Sequence, residues 1–180
     1  MKLSILDTGK LRLDGGAMFG VVPKVLWNEK YPAEEDNTVL LTMRCLLIET
    51  DHKKIIVDTG VGTKLDEKKA KIYQVEDIVP LEDLLAEKNI KAEEITDVIL
   101  THLHFDHCGG SVKYNKDGKP VPVFPNAKYT ISKDQWDAAT KPNKRERASY
   151  FPENFLPIEE YGQLNLIKRS PMVEMHNNRN

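Results

Sequence analysis

A short apolar run, Val98-Ile99-Leu100, passes without a break into Thr101-His102-Leu103-His104-Phe105-Asp106-His107-Cys108-Gly109-Gly110. Three of the chain's five histidines fall within six residues of that segment. A buried strand that ends in clustered imidazoles and a carboxylate limits the possible folds more than any other feature of the chain. In an extended segment, residues two apart project to the same side, so His102 and His104 can face one point. Asp106 and His107 follow as the backbone turns, and the glycine pair permits the turn. Imidazole nitrogen and carboxylate oxygen are donors that a borderline divalent metal such as zinc takes. The four side chains could hold one ion, or divide between two ions that share a water. A bound dication lowers the pKa of its water to about 7, which makes hydrolysis the natural reaction class. The alternative, a chance polar loop, is outweighed by the strand before the cluster, the glycines after it and the spacing within it.

The rest of the chain reads as a mixed α/β pattern. Leu3, Ile5, Leu11 and Leu13 alternate around Thr8-Gly9-Lys10, which predicts two short strands joined by a turn. Gly15 to Pro32 is a Gly/Pro-punctuated apolar loop. Its Met18, Phe19 and Trp27 are candidates for a pocket wall, with padding at the core edge the stronger reading. Thr38–Glu49 and Ile55-Ile56-Val57 form a hairpin that ends in Asp58-Thr59-Gly60, a carboxylate and a flexible turn at a sheet edge. A charged helix or loop is expected from Leu65 to Ala70. A helix through Leu81, Leu84 and Leu85 precedes strand Val98–Leu100, which puts the cluster at the carboxyl end of a strand. Lys113–Lys119 looks like a hairpin tip. Strands are expected at Val121–Val123, Ala127–Ile131, Leu164–Ile167 and Met172–Met175, with Ser132 capping a helix to about Thr140.

Composition narrows the function classes. A net charge of −2 gives no general attraction to nucleic acid or to an anionic membrane. No apolar stretch approaches the roughly 20 residues that span a bilayer. The N-terminus meets polar residues too early for a secretory leader. Two cysteines, Cys45 and Cys108, make no disulfide framework, which fits a reducing cytoplasm. The expected partner is a small-molecule substrate.

His102-Leu103-His104-Phe105-Asp106-His107 resembles the His-x-His-x-Asp-His signature of the metallo-β-lactamase superfamily. Ile56-Val57-Asp58-Thr59-Gly60 is similar to that superfamily's first motif. The segments Gly16–Pro23 and Phe151–Asn154 are similar to its lactonase-like zinc hydrolase branch, which includes N-acyl-homoserine lactonases. The resemblance implies a single domain over 1–180 with an αββα sandwich, here truncated to the first sheet and its helices. It implies that His102 and His104 belong to one metal site and Asp106 and His107 to a second, with Asp106 the catalytic carboxylate. Asp58 would steady the ligand loops from behind. The implied cofactor is zinc, two ions in the complete domain, with iron or manganese as other divalent options. The implied activity is attack of a metal-bound hydroxide on a lactone, ester or related acyl bond. Phosphotriester, phosphodiester or thioester hydrolysis on the same fold is the alternative, as is a catalytically incompetent fragment.

The family also carries a third histidine, a bridging aspartate and a final histidine later in the chain. None is found before Asn180, so a missing C-terminal portion is expected. The bare sheet face that results would favour self-association. Four other features invite a function and have plainer readings. His52 reads as a solvated turn residue. His176 reads as a surface or sheet histidine rather than a replacement ligand. Cys108 reads as small-residue packing. The Lys141–Arg147 run reads as a solvated face.

Overall fold

Leu6 and Leu11 are five residues apart, a spacing that would put them on opposite faces of a regular strand. In the computed structural model, which describes residues 1–168, both are buried on the same face. The pairing slips by one residue between Asp7 and Gly9, leaving Thr8 extra in a β-bulge. Gly9 takes a φ of 127°, and a Cβ there would come within 2.6 Å of Ile78. The N-terminal segment is therefore one strand, β1 (Lys2–Asp14), paired along its length with β2 (Thr38–Glu49). This corrects the expected pair of strands around Thr8–Lys10: the break in alternation marks a bulge, not a reversal of the chain.

The expected loop after β1 contains two short helices, α1 (Gly15–Phe19) and α2 (Lys24–Lys30). Asp14 starts the first by accepting the Ala17 N–H at 2.8 Å. The hairpin from β2 returns as β3 (Lys54–Val57) through a turn closed from Thr50 N–H to the Lys53 carbonyl at 2.8 Å. Next come α3 (Glu67–Ile72), α4 (Leu81–Ala86), β4 (Asp97–Ile99) and the one-turn α5 (Phe105–Cys108). A separate ribbon of β5 (Val112–Tyr114) and β6 (Pro120–Pro122) brackets the hairpin tip. Then β7 (Lys128–Ser132), α6 (Lys133–Thr140), α7 (Leu156–Glu160) and β8 (Leu164–Ile167) complete the described chain. Ser132 caps α6 as expected, its hydroxyl accepting the Gln135 N–H at 3.2 Å. The expected strand at 172–175 and His176 lie outside the described residues.

The six-stranded sheet has the order β1-β2-β3-β4-β7-β8. It is antiparallel from β1 to β3 and parallel from β3 to β8. One face carries Leu6, Leu47, Ile56, Val98, Tyr129 and Ile131, all buried against Leu81 and Leu85 of α4, Trp136 of α6 and Ile158 of α7. The opposite face is apolar too. Ile5, Leu46, Val57 and Ile99 form a row across four strands. Nothing among the described residues buries it: Leu3 is 57% exposed, Ile5 68%, Ile99 40% and Ile167 50%. Strands apolar on both sides belong in a sheet covered on both sides. No described helix is long and apolar enough to cross a membrane.

Candidate metal centre

The alternation within His102–Cys108 has a packing cause. Leu103 is buried in the main core. Phe105 is buried in a second, smaller core with Leu11, Met43 and Val61. There it lies 4.3 Å from the Tyr73 ring and 5.0 Å from the Phe151 ring, centroid to centroid. Cys108 is fully buried and donates its thiol hydrogen to the Leu103 carbonyl at 3.3 Å. These three apolar anchors pin the backbone, and His102, His104, Asp106 and His107 project from the other side of it.

The projecting groups converge. The His102 ring lies 4.6 Å from that of His104 and 3.9 Å from that of His107. Asp106 Oδ2 lies 3.4 Å from His107 Nε2. Behind them stands Asp58, at the carboxyl end of β3 and thus beside the carboxyl end of parallel β4. Its backbone adopts a φ of 57° and donates its N–H to the Ile99 carbonyl at 2.9 Å. One oxygen of its carboxylate accepts the Thr101 N–H at 2.8 Å, and the other lies 2.9 Å from His107 Nδ1. A carboxylate only accepts, so Nδ1 carries the hydrogen and Nε2 of His107 keeps its lone pair free.

Backbone-to-backbone packing locks the turn. Thr59 N–H donates to the His107 carbonyl at 2.7 Å, and Gly110 N–H donates to the Gly60 carbonyl at 3.0 Å. A Cβ on Gly109 would meet the Val61 carbonyl oxygen at 2.1 Å, and one on Gly110 the Thr59 oxygen at 2.2 Å. The glycine pair is there for close approach of two chain segments, which is a stronger demand than a turn alone.

Burial and neighbours set the charge states. Burial pulls the His102 imidazole down to about 4, helped by the charges of His107 and His104. Burial also lowers His104. For His107, burial is outweighed by the Asp58 hydrogen bond and the two nearby carboxylates, and its value rises. Burial works to raise Asp58, yet its bonds from His107 and Thr101 hold it below the usual carboxylate range. Burial raises the Cys108 thiol, so this sulfur stays a packing group.

Imidazoles beside a carboxylate fit zinc in the chemistry of their donor atoms. They do not close a cage: among the described residues, no three His, Cys, Asp or Glu side chains are grouped as one ion needs. Zinc sites usually take at least three protein ligands. A cavity of about 350 Å³ opens beside the turn, lined in part by Met43, Arg44, Asp58, Asp106 and His107.

The signature residues, Asp58 behind them and a matching family profile decide the assignment. The profile of the metallo-beta-lactamase superfamily matches residues 44–171. This chain belongs to the metallo-β-lactamase superfamily. The chain is 33% identical to a probable metal-dependent hydrolase from Staphylococcus aureus of known structure. The match has a TM-score of 0.83 and covers 96% of this chain and 61% of that one. A dizinc quorum-quenching lactonase superposes with a TM-score of 0.66 at 24% identity, over 96% of this chain and 60% of that one, a likeness in fold. An N-acyl homoserine lactonase from Bacillus cereus is 29% identical over 135 residues, 69% of this chain and 48% of the lactonase. The chain thus spans about half the length of that curated relative and about three-fifths of the two solved structures.

Not every expected site residue comes to the centre. Met18, Phe19 and Trp27 do not line the cavity beside His107. Trp27 is buried, stacks on Phe19 at 4.7 Å and packs over Gly15, so it seals the end of β1. His52 is exposed in its turn, and the Lys144–Arg147 run is exposed. Two further residues support the cluster without any sign in the sequence: Thr101, beside it in the chain, and Gln135. The Gln135 side-chain oxygen accepts the Leu103 N–H between the first two histidines at 3.3 Å. Only the docking of α6 brings it there.

Proposed function

We propose that this protein is a hydrolase that takes two zinc ions at His102, His104, Asp106 and His107 and acts on a lactone, ester or related acyl bond. The observation that carries the reading is the convergence of these four donors, backed by Asp58, at the carboxyl ends of two adjacent parallel strands. The resemblance to lactonases supports the acyl substrate class.

In this reading His102 and His104 offer neutral nitrogens to one ion, and Asp106 and His107 offer an oxygen and a nitrogen to the other. Asp58 holds the proton on His107 Nδ1 and keeps Nε2 turned to the ion. Thr101 fixes Asp58 in turn through two donors. Bound zinc would supply Lewis acidity and lower the pKa of a water to about 7. The cavity beside His107 gives a small substrate access from the β2 side, with Arg44 at its wall.

The test is metal analysis of the full chain, then hydrolysis of a panel containing a lactone, an aryl ester, a thioester and a phosphotriester. Two ions per chain and acyl hydrolysis, lost in His102→Ala and Asp106→Asn, are expected. Preference for the phosphotriester would move the substrate class. Turnover unchanged in both variants would sink the reading.

A further inference from the structure

Lys64 is a half-buried cation with no carboxylate within 4 Å among the described ion pairs. Its ammonium donates instead to two backbone carbonyls, those of Gly109 and Val112. Both acceptors belong to the segment that carries the chain away from α5. Burying an ammonium against carbonyls is costly, and burial pulls this one down to about 8. A side chain held at such a cost calls for a reason.

The reason lies in what the two carbonyls lack. Gly109 and Val112 are both buried, and a buried carbonyl needs a donor. Across the β5–β6 ribbon, Val112 and Pro122 form a non-hydrogen-bonded pair, since the Ser111 carbonyl next to it takes the Val123 N–H, so the Val112 carbonyl points away from β6 and takes no donor from it. Lys64 supplies the donor. It also completes a seam along which the segment from Thr59 to Lys64 holds the ligand turn. Thr59 takes hold at the His107 carbonyl, and its hydroxyl lies 3.0 Å from that of Ser111. Gly60 accepts from Gly110, and Lys64 binds on either side of Ser111. Gly62 makes the approach possible: a Cβ there would sit 2.7 Å from the Gly109 oxygen.

We infer that Lys64 is a positioning residue for the metal-ligand turn: it ties the Gly109 and Val112 carbonyls to the loop after β3 and so fixes where α5 presents Asp106 and His107. The inference rests on the reading of those two residues as metal donors. Lys64 touches no donor atom itself. It acts on the backbone, as Asp58 acts on the His107 ring.

The experiment measures zinc affinity of the full chain by chelator competition, and the visible absorption of the cobalt-loaded protein. Lys64→Met keeps the apolar stem and removes the donors. A fall in zinc affinity of about 10–100-fold and a shifted cobalt band are expected. Leu85→Ala, which opens a cavity in the main core away from the turn, should lower the unfolding midpoint and leave affinity and band unchanged. Wild-type affinity and spectrum in Lys64→Met would overturn the inference, as would an equal loss in Leu85→Ala. Should Lys64→Met not fold, Lys64→Gln, a shorter arm with donors, is expected to lose affinity in part, and an unchanged value overturns the inference. A wild-type chain that binds no zinc overturns the hydrolase reading, and this inference with it.

Discussion

Two glycine pairs, Gly15-Gly16 and Gly109-Gly110, begin stretches that look alike on paper: small residues, a phenylalanine close by, apolar and polar groups intermixed. The molecule treats them differently. Gly109 and Gly110 are pressed against the backbone of Val61 and Thr59, with hydrogen bonds across the seam. Gly16 meets only the Asp14 and Asn37 side chains at 3.0 Å or more, and Gly15 meets the Trp27 ring. Beyond the first pair, Val25 and Leu26 stand 80% and 60% exposed. Side chains can shift, whereas two backbones in contact cannot move without breaking both segments. The tightest backbone packing lies at the turn that carries the histidine cluster.

Substitution at the glycines should break the comparison most sharply. Gly109→Ala forces a Cβ into the Val61 carbonyl and should cost about 3 kcal/mol or more, seen as a large drop in the urea midpoint. Gly16→Ala should leave that midpoint close to wild type, and an equal drop in both would erase the distinction. Next in size is Asp58→Asn, which removes the charged acceptor behind His107. Zinc affinity should fall about 10–100-fold with the fold retained, and isothermal titration with zinc decides it. In the other region, Val25→Ser should change stability by less than about 0.5 kcal/mol in the same urea titration. A large loss would mean that this surface is covered.

The smallest effect is electrostatic and lies within the rigid turn. In metal-free protein, His102 should stay neutral down to about 4, while His107 should titrate above its ordinary 6.5. The signs follow from linkage. A depressed histidine contributes stability above about 6.5 that is lost as pH falls toward 4. A raised one contributes fully below 6.5 and loses that contribution as pH rises through its folded value. Ring-proton NMR against pH reads both, and coincident titrations would refute the assigned environments.

Much of the centre was legible because it is local. His102, His104, Asp106 and His107 lie within six residues, and their spacing after a strand carries the geometry. Asp58 was legible because Asp-Thr-Gly ends a strand visibly. The β1 bulge is not legible in the sequence, since a phase break in alternation is common to a turn and to a bulge, and only pairing with β2 separates them. For Trp27 the sequence leaves a pocket wall open beside the stronger reading of core-edge padding, and its stacking on Phe19 depends on how α1 and α2 fold back. Lys64 and Gln135 left no signal, because their partners are backbone atoms 45 and 32 residues away.

The sequence by itself determined the family and the mixed α/β character, and it placed the His102–His107 cluster at the end of a strand, because each rests on spacing along a few residues. Tertiary structure alone decided which glycines are irreplaceable, which apolar sheet face is covered and which cation holds the turn. Those depend on atoms far apart in the chain arriving within 3 Å of one another, a condition that no local pattern of residues encodes.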